Sequence, residues 1–105
     1  MRKLIYNTTY HVDHSVVEEW EQWMIANFIP QVLTSLGFGE YKLLKILTEE
    51  QQGGVSFALQ FSVDTLDHYI EFQETLKKQL SFQLRSKWGE LCLSFATLME
   101  ICDEN

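Results

Sequence analysis

Three histidines and the aspartates beside them are the residues of this chain best suited to chemistry. His11 and His14 flank Asp13 in the stretch NTTYHVDH, residues 7–14, and His68 follows Asp64 and Asp67. Imidazole with carboxylate is a common ligand set for a divalent transition metal, so His11, His14 and His68 are the metal-ligand candidates. Two points weigh against them. HxDH is not an established ligand spacing, and a carboxylate already bonded to a helix end makes a poor ligand. Asp13 and Asp64 each stand just before a helical pattern, where a short acidic side chain accepts from free backbone N–H groups. Asp67 suits the dipole of a first turn. Capping is the preferred reading, and no metal or other cofactor is expected.

The second set is the polar strip Asn7, Thr9, Gln60 and Ser94, which together with His11 forms the expected ligand-binding group. Tyr6, Tyr10, Trp20 and Trp23 could join Asn7 around a cavity for an aromatic substrate. The helical spacing of the two tryptophans favours a core role for them instead. There is no GxSxG, Walker loop, GxGxxG or CxxC in the sequence. Cys92 and Cys102 fall on one expected strand, where about 3.3 Å per residue separates them by roughly 33 Å. That is too far for an internal disulfide, so they read as free thiols in a reducing cytoplasm.

The elements that would position these groups alternate cleanly. Residues 2–12, rich in Tyr, Thr and Ile, predict a strand. Residues 15–27 predict a helix, with Val16, Trp20, Trp23 and Met24 on one face and Ser15 and Glu18 as a capping box, against which Asp13 competes as the cap. Pro30 predicts a break, an extended Ile29, and a short second turn over residues 30–36 before Gly37. Residues 41–48 and 55–63 predict a hairpin through EEQQGG, with Gly53 and Gly54 at the turn. Asp64 would cap one long helix whose stripe is Leu66, Tyr69, Ile70, Leu76, Leu80, Leu84 and Trp88, ended by Gly89. Residues 90–101 predict the last strand.

This order, βαββαβ, is the split βαβ pattern. The expectation is a single α+β domain over residues 1–105, ferredoxin-like, with two helices on one face of a four-stranded antiparallel sheet. Strands one and three are expected at the centre and parallel, which would gather all three histidines at one rim. In strand three, Val55, Phe57, Leu59, Phe61 and Val63 should face the helices, and Ser56, Ala58, Gln60 and Ser62 the other side. In strand four, Leu91, Leu93, Phe95, Met99 and Ile101 should face the helices, and Cys92, Ser94 and Ala96 the other side. The second strand is apolar at both parities, through Leu43 and Leu47, then Leu44 and Ile46. A soft face of small residues beside such an edge suits close approach by an identical copy, so a homodimer is expected. Phe72 and Phe82 fall off the helix stripe and read as further contacts or scattered surface aromatics.

Composition narrows the classes further. At 105 residues, 46% hydrophobic and 13% aromatic, the chain can bury a core without metal or crosslink. A net charge of −7 argues against nucleic acid or anionic membrane as partner. Lys77, Lys78, Arg85 and Lys87 do cluster, and read as a solvated helix face. No run approaches the ~20 apolar residues of a membrane span, and the start lacks the apolar region of a signal peptide. Asn7-Thr8-Thr9 matches a glycosylation triplet but would need a secretory route.

Several stretches carry a resemblance: IYNTTYHVD at 5–13, EEWEQWM at 18–24, IPQVL at 29–33, GGVSFALQF at 53–61 and FATLME at 95–100. The chain resembles a bacterial domain-of-unknown-function family, number 4286, within the dimeric α/β-barrel group of ferredoxin-like folds. The resemblance implies the fold and a homodimer, and no activity. Relatives often carry a His just before the IP; Asn27 and Phe28 stand there in this chain, so no role is carried over. Some enzymes of that group oxidise quinol-like aromatics without a cofactor. Others open haem with an Asn on the first strand and a His and Trp on the second helix. Asn7, His68 and Trp88 do not match that set in position. The expectation is therefore a small cytoplasmic homodimer of unassigned activity that binds a small apolar or aromatic molecule. The alternative is a cofactor-independent monooxygenase-like enzyme.

Overall fold

Tyr, Thr and Val alternating with polar residues make the first segment a strand with one buried side, β1 (Leu4–Asp13). The computed structural model describes residues 2–48 and 53–105. A 3₁₀ turn (His14–Val16) leads into α1 (Val17–Trp23), a π turn (Met24–Phe28) and α2 (Ile29–Val32). Next come β2 (Phe38–Lys45), β3 (Gly54–Val63), α3 (Leu66–Glu74), α4 (Leu76–Trp88), a 3₁₀ turn (Gly89–Leu91) and β4 (Cys92–Glu100). The strands form one sheet in the order β2-β3-β1-β4, with every pairing antiparallel. The α+β, ferredoxin-like architecture is as expected. The helical segments pack on one face through Trp20 against Tyr10 and Phe57, and through Phe72 against Tyr6 and Phe38.

The central pair corrects the expectation of parallel strands. β1 and β3 are antiparallel, with Leu4 opposite Val63 and Asp13 opposite Gly54. Chain reversals require this. β1 runs up, the first helical run returns down, β2 runs up, and the hairpin brings β3 down. The end of β1 and the end of β3 therefore lie at opposite rims. The hairpin residues Glu49, Glu50, Gln51 and Gln52 lie outside the described residues, and Gly53 beyond them has φ +76°.

Pro30 does not break the first helical run. The N–H of Ile29 reaches back five residues to the Met24 carbonyl, widening the helix for one turn. The backbone of Ile29 stays helical, at φ −59° and ψ −46°, and Pro30 stands in the first turn of α2. The caps also differ. Asp13, not Ser15, caps the first run, and its carboxylate accepts from the Ser15 N–H at 2.9 Å. Thr65, not Asp64, caps α3, its hydroxyl accepting from the His68 N–H at 3.2 Å.

The second long helix is two, divided at Thr75, whose φ of −120° and ψ of −95° leave the helical region. The division resets the apolar stripe. Residues 72, 76, 80, 84 and 88 are spaced by four, and on one straight helix such a row would turn steadily away from the sheet. Phe72 is consequently core, while Leu66 and Ile70 of the expected stripe are exposed, as is Phe82. The two helical runs are tied by Gln31 and Gln83, whose amides exchange hydrogen bonds at 3.0 and 3.2 Å.

Strand four corrects the assignment of faces. Tyr10 stands opposite Ser94, Thr8 opposite Ala96 and Tyr6 opposite Leu98. Directly paired residues share a face, so Cys92, Ser94, Ala96 and Leu98 look toward the helices. Leu93, Phe95 and Met99 lie on the open side with Ile5, Asn7, Thr9 and His11. The assignment of β3 holds, with Phe57, Leu59, Phe61 and Val63 all buried.

Candidate functional site

A cleft opens between β1, β4 and α4, and its cause is the small size of Ser94 and Ala96. Aromatic side chains on β1 and β3 hold the helices away from the sheet. Over β4 the inward residues are too small to fill the same gap. The space left is about 170 Å³. Its floor is buried and largely apolar, through Tyr6, Tyr10, Phe28, Leu59, Phe61 and Leu80. The rim carries Lys77, Ser81 and Leu84, which successive turns of α4 bring to one side, and Ser94 and Ala96 of β4. Thr8, Ser81 and Ser94 add hydroxyls to those of the two tyrosines.

The phenols of this cleft are protonated. Burial pushes the Tyr10 hydroxyl far above its ordinary range, and burial also raises Tyr6, with the Thr8 hydroxyl pulling partly the other way in both. They can donate hydrogen bonds and cannot serve as bases. The Lys77 ammonium lies over the Tyr6 ring, 6.0 Å from its centroid.

The expected site residues divide between two faces. Asn7, Thr9, His11 and Gln60 lie on the open face, where Asn7 and Gln60 stand opposite each other in the ladder. Asn7 Nδ2 donates to Thr9 Oγ1 at 3.4 Å, and its Oδ1 is buried without a partner. His11 Nδ1 is 3.2 Å from Ser56 Oγ. Ser94 is on the covered face, in the cleft. Trp20 is fully buried core, tilted 36° against Phe57 with centroids 4.8 Å apart, and Trp23 packs edge-on to Trp88. Tyr6 and Tyr10 do line the cleft. Thr8, Lys77 and Ser81 escaped the sequence reading. Thr8 was legible from its shared parity with Tyr6 and Tyr10; Lys77 and Ser81 needed the helix break at Thr75 to set their facing.

The histidine rim expected from parallel strands does not form. His11 and His14 lie at one end of the sheet, and His68 lies at the other, beside Asp64. His68 Nδ1 and Asp64 Oδ1 are 2.6 Å apart. That hydrogen bond holds the Asp64 carboxyl below its usual range. A side chain at Gly37 would collide with this pair, and Gly37 also has φ +87°, so a residue without Cβ is required there. Among the described residues, no group of three or more His, Cys, Asp or Glu side chains is placed to hold a metal. Among them, too, no helix is long and apolar enough to cross a membrane. A second hollow, about 520 Å³ and open, lies along β2 and the C-terminal segment, between Tyr41, Lys42, Gln60, Ser62 and Ile101.

A family model described as "Domain of unknown function (DUF4286)" matches residues 3–102. Among solved structures, a variant of SnoaB, a cofactor-independent oxygenase from Streptomyces nogalater, is similar with a TM-score of 0.72 at 16% identity, over 99% of this chain and 97% of that one. A dimeric ferredoxin-like protein from an uncultured marine organism is similar with a TM-score of 0.69 at 14% identity, over 97% of each chain. At such identities the likeness is one of fold. No curated protein matches the sequence.

Proposed function

The chain belongs to the DUF4286 family, and from that premise we propose that it is a homodimer whose subunits each bind a small aromatic molecule in the cleft between β1, β4 and α4. The observation that carries the binding role is the cleft itself, an apolar floor ringed by hydroxyls. Its size limits the ligand. An engineered apolar cavity of about 150 Å³ in another protein holds benzene, and drug-sized ligands need about 300–1,000 Å³. A space of about 170 Å³ suits one ring.

Pairing is supported by the open face of the sheet. Leu93 and Phe95 are 60% and 66% exposed there on one edge strand, with Met99 on the same strand and Leu44 on the opposite edge. Exposed apolar margins around a centre of small residues suit the close approach of a second sheet. The partner proposed is a second copy, because a fold relative is itself described as dimeric. In this reading Asn7, Thr9, His11 and Gln60 bind across the subunit interface, and Ser94 alone of the expected ligand set serves the cleft. The cytoplasm is the proposed compartment, in keeping with two free thiols.

Calorimetric titration with phenol and toluene tests the binding role. Binding of either ring, abolished by Ala96→Phe, is the expected result; no binding, or binding indifferent to Ala96→Phe, overturns it. Light scattering after gel filtration tests the pairing, with a mass of two chains expected and one chain contrary. A cofactor-independent monooxygenase-like reaction is the second reading, favoured by the fold shared with an oxygenase that needs no cofactor. Dioxygen uptake with hydroquinone, suppressed by Ala96→Phe, would support it, and uptake no faster than without protein would end it.

A further inference from the structure

We infer that the molecule held in the cleft is a single-ring aromatic bearing an anionic oxygen, a carboxylate or phenolate, which Lys77 binds. This deepens the cleft reading and rests on it. Lys77 is the one charged side chain among the described residues that line the space. It is half-buried, and its ammonium lies over the Tyr6 ring at 6.0 Å from the centroid. Among the described residues its charge has no carboxylate partner. Among the described residues the ion pairs are Arg2 with Glu100 and His68 with Asp64, so no carboxylate stands within 4.0 Å of Lys77.

An ammonium at the mouth of an apolar cleft, with no carboxylate paired to it among the described residues, favours an anion as its neighbour. The face of a tyrosine ring offsets only a little of that demand. Around the same opening, the hydroxyls of Thr8, Ser81 and Ser94 provide donors for a second oxygen of the anion. The apolar floor provides the place for its ring. The other cations of α4 do not share this position. Lys78, Arg85 and Lys87 do not line the cleft, and Lys87 lies over Trp88 at 5.1 Å instead. The basic cluster of the sequence is thus divided by the fold, one member to the cleft and the rest elsewhere.

The test is calorimetric titration of the intact protein with benzoate, benzyl alcohol and acetate, compared with Lys77→Met, Lys77→Arg and Ala96→Phe. Matched thermal midpoints confirm that each variant is folded. The wild type should bind benzoate about tenfold or more tighter than benzyl alcohol. Lys77→Met should lose that preference while keeping benzyl alcohol within about twofold, Lys77→Arg should retain it, and Ala96→Phe should abolish both. Equal binding of benzoate and benzyl alcohol, or a benzoate preference that survives Lys77→Met, overturns the role of Lys77 and leaves the cleft standing. Acetate binding as well as benzoate, or benzoate binding that survives Ala96→Phe, shows a surface anion effect and also overturns it. Failure of both ring probes in the wild type removes the cleft reading itself, and this inference with it.

Discussion

The two faces of the sheet use the same strands for opposite ends. The covered face carries Tyr6, Tyr10, Phe57 and Phe61, closed over by Trp20, Phe72 and Leu80 from the helices. The open face carries small or polar residues along its two central strands, Asn7, Thr9, Ser56, Ala58 and Gln60, and large apolar ones on its edge strands, Leu44, Leu93, Phe95 and Met99. One face is complete within the chain. The other has a soft centre and apolar margins, a shape that fits a second sheet laid across it. β4 joins the two designs. Its small residues turn inward and leave a cleft, while its large residues turn outward and await a cover. The difference teaches that large apolar side chains on a strand need not point at the chain's own helices.

The largest expected effect breaks the covered face. Trp20→Ala removes a fully buried ring that touches Tyr10 and Phe57. Truncations of this kind cost about 3–5 kcal/mol, a large part of the stability of a typical domain. Urea unfolding should show the midpoint collapse. On the open face, Phe95→Ala should leave the unfolding of a single chain within about 1 kcal/mol, since the side chain has little to lose there. A comparable loss at both sites would deny that the faces differ.

The next effect acts on the open face alone. Leu93→Glu with Phe95→Glu puts like charges on the proposed interface at each copy. Sedimentation velocity should show a single-chain species with an unchanged circular dichroism spectrum. The same charge at Ala58, on a central strand of that face opposite Thr9, should act alike. Dimers that persist in both variants would leave the apolar margins without a role.

Much of this contrast was written in the alternation of β1 and β3. Tyr6, Thr8, Tyr10 and Val12 are buried in turn, and Phe57, Leu59, Phe61 and Val63 match them across the ladder. β4 was not legible in the same way, because size alone suggested that Leu93 and Phe95 belonged to the core. Only pairing with β1 shows their side, and pairing is a tertiary fact. The sense of β3 was available from counting reversals, and the wrong sense brought His68 to the same rim as His11 and His14. The turn at Pro30 was hidden for another reason. A π turn moves one hydrogen bond and leaves no residue signature, so a proline read as a stop is carried inside a helical run. Of the candidate site, residue size on β4 points Ser94 to the wrong face, and Lys77 reads from the sequence as one of a solvated row. Its facing depends on Thr75, a residue with no breaker signal.

A smaller effect separates the two faces by charge. Three titrating groups of the covered face are held neutral, with the Cys92 thiol pushed up to about 11 by burial and both cleft phenols raised. An acid whose folded pKa is raised withdraws stability as pH climbs above its unfolded value, because the unfolded chain then releases its proton first. Stability should therefore decline from about pH 8.5, where an unfolded thiol ionises, and further from about pH 10 with the tyrosines. Cys92→Ala should move the start of that decline toward about pH 10 in thermal melts. An unchanged alkaline limb would mean that Cys92 is not shielded as its place on the covered face requires. Thiol labelling of the native protein gives the same contrast directly, with exposed Cys102 modified well before buried Cys92.

The smallest effect lies outside both faces, at the ends of the sheet. Asp13 and Asp64 are held below the ordinary carboxylate range, Asp13 by the Ser15 hydroxyl and N–H and Asp64 by the His68 ring. A depressed folded pKa gives the opposite sign. The stabilisation is present above the unfolded value near pH 4 and is lost as pH falls through the folded one. Asp64→Asn should flatten the acid limb of the melting curve in that window while leaving the alkaline limb in place. His68→Ala should raise the Asp64 carboxyl toward its usual range, followed by carbon NMR of the side chain, without moving Asp13 at the far end. Coupled movement of both aspartates would mean that the two ends communicate, which opposite rims of one antiparallel sheet give them no direct path to do.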